Sequence, residues 1–519
     1  MGGSQFASDS LESENRSAVQ IPDPFIEKLI IEAILEARNH KLINAMKDLG
    51  GGGLSCAVSE TADALGVGIE MDVNMVHTRE PNMHPDEIMV SESQERMLIV
   101  TNKTKLKKLQ EICKKFRITC SVIGHIKSDK QMHVKKGKKT FANLPTDVVA
   151  NATLLDLPSK KPVYLKTIEK EKKLKPISDY SKTMMTLLAA PNIASKIWVY
   201  GQYDHEVGIR TVVKPGHDAS VLRLDNGKFL SVKIDGNPKQ CYINPREGAI
   251  GCFEEACRNV VCTGAKPIGM LDHLQFGNPK DPEIFWTFLE SLKGLTDFAN
   301  DTKIPCVGGK VSLYNETPAG PIKPTPLIGV LGLIDKNPLV PQKIAEGDCL
   351  VIVGDTKDEM GGSEYFEYIH KFIGGKCPAV NFVESKKNMK AVLEIIKNEL
   401  IKSAHDCSKG GLAVAVSELC MTNQIGCKIL LEKVPGEKLD VDRILFSESH
   451  SRYLLVLDKK NLKKLENILK KNKVSFQLIG QFKGEKIQFT KGTKLIIDLR
   501  VDKAHKTWFN SLKDLVLHG

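Results

Sequence analysis

Residues 45–60 read AMKDLGGGGLSCAVSE and residues 403–418 read SAHDCSKGGLAVAVSE, so one motif occurs twice in the chain. Asp48 aligns with Asp406, and the Gly-Gly-Leu and Ser-Glu groups that follow align at the same separation of 358 residues. In the first copy a short run ends in the aspartate, four glycines follow, and apolar residues then recur at helical spacing. This pattern predicts a strand, a glycine-rich loop and a helix.

Two further blocks repeat in the same order at nearly the same separation. Residues 91–96, SESQER, match residues 447–452, SESHSR, and the GGS at 2–4 matches the GGS at 361–363. Three blocks repeated in one order indicate an internal duplication of a long segment.

The duplication predicts how the chain is divided. The second copy, from residue 161 onward, is about as long as the repeat separation, so we expect the first copy to lack about 200 residues before Met1. Met1 aligns with Met360, which follows an apolar run, so we also expect the first domain to lack its opening strand. The predicted domains are 1–160, 161–340 and 341–519, of which the first and third are homologous.

Composition excludes several classes of protein. Of the 519 residues, 41% are hydrophobic and 26% are charged, which is typical of a globular chain and excludes disordered or collagen-like sequences. No apolar run approaches the roughly 20 residues of a membrane-spanning helix, and the polar N-terminus has no signal-peptide core. Thirteen scattered cysteines indicate reduced thiols, so we expect a cytoplasmic protein without a membrane partner.

The formal net charge of +11 comes from one segment of the chain. Residues 101–140 contain 13 basic and 2 acidic residues, so the rest of the chain is balanced. Apolar residues within 106–116 recur at helical spacing, which favours an amphipathic helix with a solvated lysine face, and 135–139 is expected to be a turn between strands. Phosphate binding by these lysines is the alternative, but no aromatic residues interleave with them, and we expect no nucleic-acid partner.

The apolar pattern predicts a mixed α/β fold. Residues 157–182, rich in Lys, Pro and Ser, are expected to be a linker. The predicted helices are 25–37, 54–65, 247–262 and 283–300, and the predicted strands are 42–48, 95–100, 209–213, 219–224, 228–234, 267–274, 304–313 and 326–334.

Asp48 and the glycines after it form the first candidate site. Glycines permit close backbone approach, a helix N-terminus attracts anions, and a carboxylate beside such a loop suits a Mg²⁺–phosphate complex. A plain glycine-rich turn with a capping aspartate is the alternative.

Residues 91–96 form the second candidate site, with acceptors, donors and an amide suited to a small polar ligand. The alternative is a surface turn with an arginine–carboxylate pair.

A third candidate joins Asp272 to a second glycine loop, in which backbone amides near Gly309, the Ser312 hydroxyl and Lys310 are suited to phosphate or sugar groups. His273 is as compatible with a structural role as with a functional one.

Longer segments carry a family resemblance. The pieces KDLGGGGLSCAVSE, DEIMVSESQERMLIV, PNIASKIWVYGQYDHEVG and GGKVSLYNET are similar to the PurL synthetase subunits of phosphoribosylformylglycinamidine synthase, and the likeness covers nearly the whole chain. The resemblance implies an AIR-synthase-like (PurM-like) mixed α/β fold, with a half-barrel domain between two homologous α/β domains of the C-terminal type. Other AIR-synthase-like kinases lack a second fused unit with these motifs.

The resemblance also implies an activity. It implies ATP- and Mg²⁺-dependent conversion of formylglycinamide ribonucleotide and ammonia to the amidine in purine biosynthesis, with a glutaminase subunit and a small bridging subunit as partners. The family's catalytic histidine lies in the domain expected to be absent, so this chain alone is expected to be inactive. The alternative function is that of a non-catalytic relative, either a nucleotide-binding protein or a scaffold. The implied contacts are Gln20, Glu92, Ser93, Gln94 and Ser312 for the substrate, Asp272 and Gly309 for ATP, and Asp48 for Mg²⁺.

Some positions depart from the family pattern. Lys310 stands where the family has an asparagine that ligates a second Mg²⁺, and a protonated lysine cannot take that role. His273 and Gln275 also stand where asparagine is usual. In the second copy, Asp406, 361–363 and 447–448 are candidates for a vestigial or structural nucleotide site.

Overall fold

The computed structural model describes residues 22–78, 80–151, 156–168, 174 and 177–518. The chain divides into two compact units, Met1–Asp156 (unit 1) and Leu157–Gly519 (unit 2). Gln20, a predicted substrate contact, lies outside the described residues. The mixed α/β class predicted from the sequence is confirmed.

Unit 1 contains two small sheets flanked by helices. Strands β1 and β3 pair antiparallel, and the other sheet has the order β4-β2-β5-β6. Asp23 accepts from the Ile26 N–H and starts the first helix after a proline-marked turn, as the sequence predicts. The helices are α1 Pro24–Asn39, α2 Gly53–Ala64, α3 Pro85–Val90, α4 Lys103–Lys115 and α5 Thr146–Ala150, and the strands are β1 Ala45–Asp48, β2 Gly68–Asp72, β3 Met97–Val100, β4 Gly124–Lys127, β5 Gln131–Lys136 and β6 Lys139–Pro145.

The basic segment of unit 1 has the predicted local structure. The first lysines lie on the amphipathic helix α4, which buries Leu109 and Ile112, and the later ones flank the turn between β5 and β6. Several lysines have partners within the unit: Lys115 pairs with Glu36, and Lys127 and Lys135 both pair with Glu70.

The first part of unit 2 is a six-stranded sheet with the order β11-β10-β14-β9-β8-β7. Helix α10 packs on β9 and β14 and is buried on nearly all sides, and α11 packs against α10. The predicted linker also contains helical residues at its centre and at its C-terminal end. The elements are α6 Leu165–Ile168, α7 Tyr180–Leu188, α8 Ile197–Tyr200, β7 Thr211–Val213, β8 Ser220–Arg223, β9 Phe229–Asp235, α9 Pro238–Ile243, α10 Pro245–Cys262, β10 Lys266–Gln275, α11 Pro282–Thr302, β11 Cys306–Ser312, β12 Glu316–Thr317, β13 Gly320–Pro321 and β14 Thr325–Ile334.

The second part of unit 2 is built on a seven-stranded sheet with the order β16-β18-β15-β19-β17-β20-β21. Its central strands β15 and β18 are buried along their whole length, which explains their continuous apolar sequences. The elements are β15 Cys349–Val353, α12 Glu364–His370, α13 Phe382–Lys397, β16 Ser403–Asp406, α14 Gly411–Asn423, β17 Cys427–Leu430, α15 Val441–Phe446, β18 Tyr453–Leu457, α16 Leu462–Lys471, β19 Phe476–Phe482, β20 Lys486–Lys491, β21 Lys494–Arg500 and α17 Val501–His518.

The sequence repeat corresponds to a structural repeat. Strands β16 and β18 pair antiparallel with Asp406 opposite Tyr453, as β1 and β3 pair with Asp48 opposite Met97. The order β19-β17-β20-β21 corresponds to β4-β2-β5-β6, with the same strand directions. In unit 2, β15 joins the two parts of the sheet, whereas no strand within residues 22–78 and 80–151 joins β3 to β4. Within the described ranges, no helix has the length and apolar character needed to cross a bilayer.

Candidate functional site

The glycine loop of unit 1 connects β1 to α2. Gly52 and Gly53 both have positive φ, at 77° and 56°, and a side chain on Gly53 would collide with the carbonyl oxygen of Ser91. Only glycine fits this approach without strain. The Gly52 N–H donates to Glu92 Oε1 over 3.1 Å, so the structure brings the first two predicted sites together.

The segment after α3 is folded around an arginine. Arg96 donates from Nε to the Ser93 carbonyl over 2.8 Å and from Nη2 to the Ser91 carbonyl over 2.7 Å. Gln94 Nε2 donates to the Glu92 carbonyl, and the hydroxyls of Ser91 and Ser93 lie 3.1 Å apart. The arginine therefore shapes a compact polar loop through backbone contacts. We call residues 48–53 and 91–96 the open copy, because their side chains are mostly exposed or half-buried.

The open copy has the chemistry of a phosphate-binding loop beside a carboxylate. Asp48 is exposed at the end of β1, and the glycine loop leads into the 12-residue helix α2. Mg²⁺ in nucleotide sites is commonly held by one or two carboxylates, with phosphate and water oxygens completing its octahedron. Asp48 is placed where such a carboxylate would lie, and the donor set is compatible with a magnesium–phosphate complex.

The same geometry recurs in unit 2. The Gly410 N–H donates to Glu448 Oε1 over 2.8 Å, and Gly410 has a φ of 77°. Arg452 donates from Nε to the Ser449 carbonyl and from Nη2 to the Ser447 carbonyl, at 2.9 and 2.6 Å. We call residues 406–411 and 447–452 the closed copy, since all of 447–452 is buried.

Partners from other elements fill the closed copy. Arg258 on α10 donates to Asp406 Oδ2 over 3.1 Å and pairs with Glu254. Glu448 Oε1 also accepts from the Glu364 N–H, directly after the Gly361-Gly362-Ser363 block. Groups from outside the closed copy are therefore bonded to its aspartate and to its glutamate.

Two further cations neutralise the acids around the closed copy. Lys409 Nζ lies 3.1 Å from Asp235 Oδ1 and 3.3 Å from Glu255 Oε1. Although burial opposes its charge, these two carboxylates hold the pKa of Lys409 well above its usual range. His405 bonds Asp218 and Glu418. Among the residues described, one group of three side chains could hold a metal ion, namely Asp218, His405 and Asp406.

The third predicted site lies on the six-stranded sheet. Asp272 on β10 is in parallel register with Gly309 on β11, and a side chain on Gly309 would collide with the Asp272 carboxylate. Partial burial raises the pKa of Asp272. Three residues further along, Gln275 and Ser312 are also opposite each other, and Ser312 Oγ lies 3.3 Å from Asn315 Oδ1.

The neighbours of this site on the sheet are also polar. His273 is in register with Lys310, which is exposed. The thiol of Cys306 donates to the Gly308 carbonyl over 3.4 Å, beside Asp272. The structure thus brings Asp272 and Gly309 together, while Lys310 and Ser312 are in register with His273 and Gln275 on the same strand pair. Sequence reasoning missed Cys306 here, and it missed Arg258 and Asp218 around the closed copy, because none of these three lies within a repeated block. It also missed Lys409, which lies inside the second block where the first copy has Gly51.

Comparison with known proteins gives concordant matches. The family model for AIR synthase related protein, C-terminal domain, matches residues 1–136 and 345–491, and the model for its N-terminal domain matches residues 216–334. The phosphoribosylformylglycinamidine synthase subunit PurL of Methanocaldococcus jannaschii is 42% identical over 529 aligned residues, covering 99% of this chain and 71% of that protein. The PurL subunit of Thermococcus sibiricus is 40% identical, with the same coverage.

Solved structures show the same fold. The structure of T. maritima PurL complexed with AMPPCP has a TM-score of 0.65 and 24% identity, and the match covers 89% of this chain and 69% of that one. The structure of T. maritima PurL complexed with FGAR has a TM-score of 0.64 and 23% identity, with 90% and 66% coverage. The predicted AIR-synthase-like fold is therefore confirmed.

Proposed function

Because this chain belongs to the PurL family of phosphoribosylformylglycinamidine synthase subunits, we propose that its open copy binds the magnesium-bound phosphates of ATP and the substrate formylglycinamide ribonucleotide. Family membership establishes the chemistry: an ATP-dependent ligase of purine biosynthesis converts this substrate and ammonia to the amidine. The family does not favour the alternative of a non-catalytic scaffold. The residue assignments that follow are our proposal.

One observation carries this proposal. The two copies share the same glycine–glutamate and arginine–carbonyl bonds, yet only the open copy leaves its aspartate and its loop accessible. In the closed copy the corresponding aspartate is 3% exposed and is bonded to Arg258. A ligand that binds the repeated motif can therefore reach it in unit 1.

The reaction activates the substrate amide by phosphorylation, after which ammonia displaces phosphate. Catalysis of phosphoryl transfer depends mainly on positioning and on neutralising charge. We assign Asp48 as the Mg²⁺ ligand, and bound Mg²⁺ would neutralise phosphate charge. The Gly52 N–H is bonded to Glu92 and the Gly53 N–H to the Gly50 carbonyl, so we assign the phosphate contacts to the backbone at Gly50 and Gly51. Glu92, Ser93 and Gln94 are assigned to the substrate, whose ribose and amide groups match their acceptors and donors.

We assign a second set of contacts to the β10–β11 site. Asp272 and Gly309 are proposed to contact ATP, and Ser312 to contact the substrate. Lys310 is left out of any metal site, because a protonated ammonium group has no lone pair to donate. Gln20 keeps its sequence-based assignment as a substrate contact.

The partner subunits are also part of this proposal. A structure named PurLQS from Thermotoga maritima matches this chain with a TM-score of 0.64. We propose a glutaminase subunit as the source of ammonia and a small bridging subunit beside it, with the complex in the cytoplasm. This chain spans 71% of the length of the relatives that it matches most closely among those described above.

The proposal is tested by isothermal titration calorimetry of the full chain with Mg-ATP. We expect Asp48→Asn to weaken Mg-ATP binding about tenfold, which corresponds to about 1.4 kcal/mol, because the metal loses its charged ligand. Asp147→Asn is the matched control, since Asp147 is an exposed aspartate of the same unit outside the open copy. Unchanged Mg-ATP affinity in Asp48→Asn would refute the metal assignment.

A second titration addresses the substrate. Gln94→Ala is expected to weaken the binding of formylglycinamide ribonucleotide while the affinity for Mg-ATP stays the same, because the amide belongs to the substrate side of the open copy. Equal losses for both ligands would show that the variant had disrupted the loop, and full retention of substrate affinity would remove Gln94 from the site.

A further inference from the structure

Two cysteines of unit 1 lie together at the end of helix α4. Cys113 is in the last turn of the helix, and Cys120 follows seven residues later. The chain reverses at Arg117, whose φ of 57° is left-handed, and the Ile118 N–H donates to the Cys113 carbonyl over 2.9 Å. This turn returns the chain to the helix end, and Cys120 packs against the apolar cluster that contains Cys113.

The two thiols have different surroundings. Cys113 is 8% exposed and packs between α1 and α4 with Ala37, Leu109 and Ile112. Cys120 is half-buried and lines a surface cavity of about 330 Å³. The other residues of that cavity are Gln110, Lys114, Arg117, Ile118 and Thr119.

The cavity is suited to anions. It has two cationic side chains, Lys114 and Arg117, and no carboxylate among its lining residues. The hydrogen bond from Cys113 lowers the pKa of Cys120 to about 7, while the same bond and burial raise the pKa of Cys113. We assign Cys120 as the nucleophile because it is the more exposed thiol and lines the cavity, and the lowered pKa agrees with this assignment.

We propose that Cys113 and Cys120 form an oxidisable dithiol that reacts with small anionic disulfides through Cys120. The pair combines an accessible nucleophile, a cationic cavity beside it and a second thiol in contact with the first. These are the three requirements for thiol–disulfide exchange followed by internal resolution.

The exchange has two steps. The Cys120 thiolate attacks one sulfur of the small disulfide, the S–S bond breaks, and one small thiolate leaves with its electron pair. The Cys113 sulfur then attacks the Cys120 sulfur of the mixed disulfide, and its proton leaves with the second small thiol. The protein dithiol is oxidised by two electrons, and the small disulfide is reduced to two thiols.

The chain contains two matched internal controls. Cys420 and Cys427 are also seven residues apart and interact with each other, and Cys241 and Cys252, eleven residues apart, form a third interacting pair. All four of these thiols are at most 1% exposed. Contact between thiols is common to the three pairs, so access to solvent distinguishes the first pair.

The test is to treat the native full chain with oxidised glutathione at pH 7 and to map disulfides by peptide mass spectrometry. We expect a Cys113–Cys120 disulfide and unmodified thiols in the two buried pairs. Cystamine, a cationic disulfide, is expected to react several-fold more slowly than oxidised glutathione at low salt, because Lys114 and Arg117 repel it. An unmodified Cys113–Cys120 pair, or equal oxidation of all three pairs, would overturn the proposal.

A variant separates the roles of the two thiols. Cys113→Ala cannot resolve the mixed disulfide, so one glutathione is expected to stay attached to Cys120. In a separate experiment without glutathione, the alkylation of Cys120 by iodoacetamide is expected to require a higher pH in this variant than in the unsubstituted chain. In the unsubstituted chain the alkylation rate rises through about pH 7. Adduct formation at the exposed Cys306 with none at Cys120 would contradict the assignment of the nucleophile.

Discussion

At the scale of the residue, one side chain occurs twice with two electrostatic outcomes. Glu92 and Glu448 both accept a hydrogen bond from the N–H of a loop glycine. Glu448 is 3% exposed, and burial together with the nearby Glu364 raises its pKa to about 7. Two effects lower the pKa of Glu448 without cancelling this rise: the charge of Lys239 and the hydrogen bonds from the backbone N–H groups of Gly410 and Glu364. Position in the fold, and not residue type, sets the protonation of this glutamate.

The raised pKa predicts a pH dependence of stability. Between pH 4.5 and about pH 7 the folded chain retains a proton on Glu448 that the unfolded chain releases, so the free energy of unfolding falls as pH rises. Glu448→Gln removes this titration and keeps the Oε1 acceptor. We expect the stability of this variant relative to the unsubstituted chain to increase by up to about 3 kcal/mol from pH 5 to pH 8, measured by denaturant unfolding.

A second substitution serves as the control. Glu448→Ala also removes the acceptor of two N–H groups, so it is expected to be less stable than the unsubstituted chain at pH 5, where Glu448 is protonated in the fold. Parallel pH profiles for Glu448→Gln and the unsubstituted chain would contradict a raised pKa.

At the scale of the element, the strand–loop–helix unit depends on how closely its glycines approach the neighbouring segment. Gly53 starts α2 directly against the Ser91 carbonyl, and Gly411 starts α14 in the same way against Ser447. The sequence showed the glycines, and the structure shows that the fourth one is required for this approach. The strand, loop and helix therefore hold the glycine loop and the segment 91–96 in a fixed relation.

The two glycines of the open copy are expected to respond differently to alanine. Gly53→Ala places a Cβ against backbone at a positive φ, so we expect it to lower the free energy of unfolding of unit 1 by about 2 kcal/mol or more. Gly51→Ala is the matched control, because nothing lies within 4 Å of its new Cβ, and we expect a change within about 0.5 kcal/mol. Urea unfolding measures both, and equal effects would show that the close approach is not required.

At the scale of the whole molecule, duplication has produced two α/β domains with one topology and different burial. In unit 2, β18 lies between β16 and β15 and all of its residues are buried. In unit 1, β3 pairs with β1 alone among the described strands, and only Leu98 in it is buried. The closed copy in unit 2 is therefore expected to be locally more stable than the open copy in unit 1.

Native-state hydrogen exchange measures that difference. We expect the amides of β18 and of residues 447–452 to exchange about 100-fold more slowly than those of β3 and of residues 91–96, because buried, doubly paired strands open only in larger unfolding events. Addition of Mg-ATP is expected to increase protection in the open copy and to leave the closed copy unchanged. Similar exchange rates in both copies without ligand would contradict the contrast in burial.

The sequence by itself determined the duplication, the mixed α/β class and the polar blocks of the candidate site. It also predicted the strands of the six-stranded sheet and the long helices α1, α10 and α11. These features depend on residue types and spacings within short segments, which is the scale at which local patterns act. The two helices in the predicted linker were missed, because its lysines and prolines masked their short apolar patterns.

Only the tertiary structure decided which copy of the motif is open. Asp406 is closed off by Arg258, 148 residues away in sequence, and His405 is held by Asp218, 187 residues away. Asp48 and Asp406 occupy equivalent positions in two blocks that share 8 of 16 residues, and neither block contains Arg258 or Asp218. The difference arises because charges pair across elements that the packing of α10 and the seven-stranded sheet brings together, and that packing is not encoded within either copy.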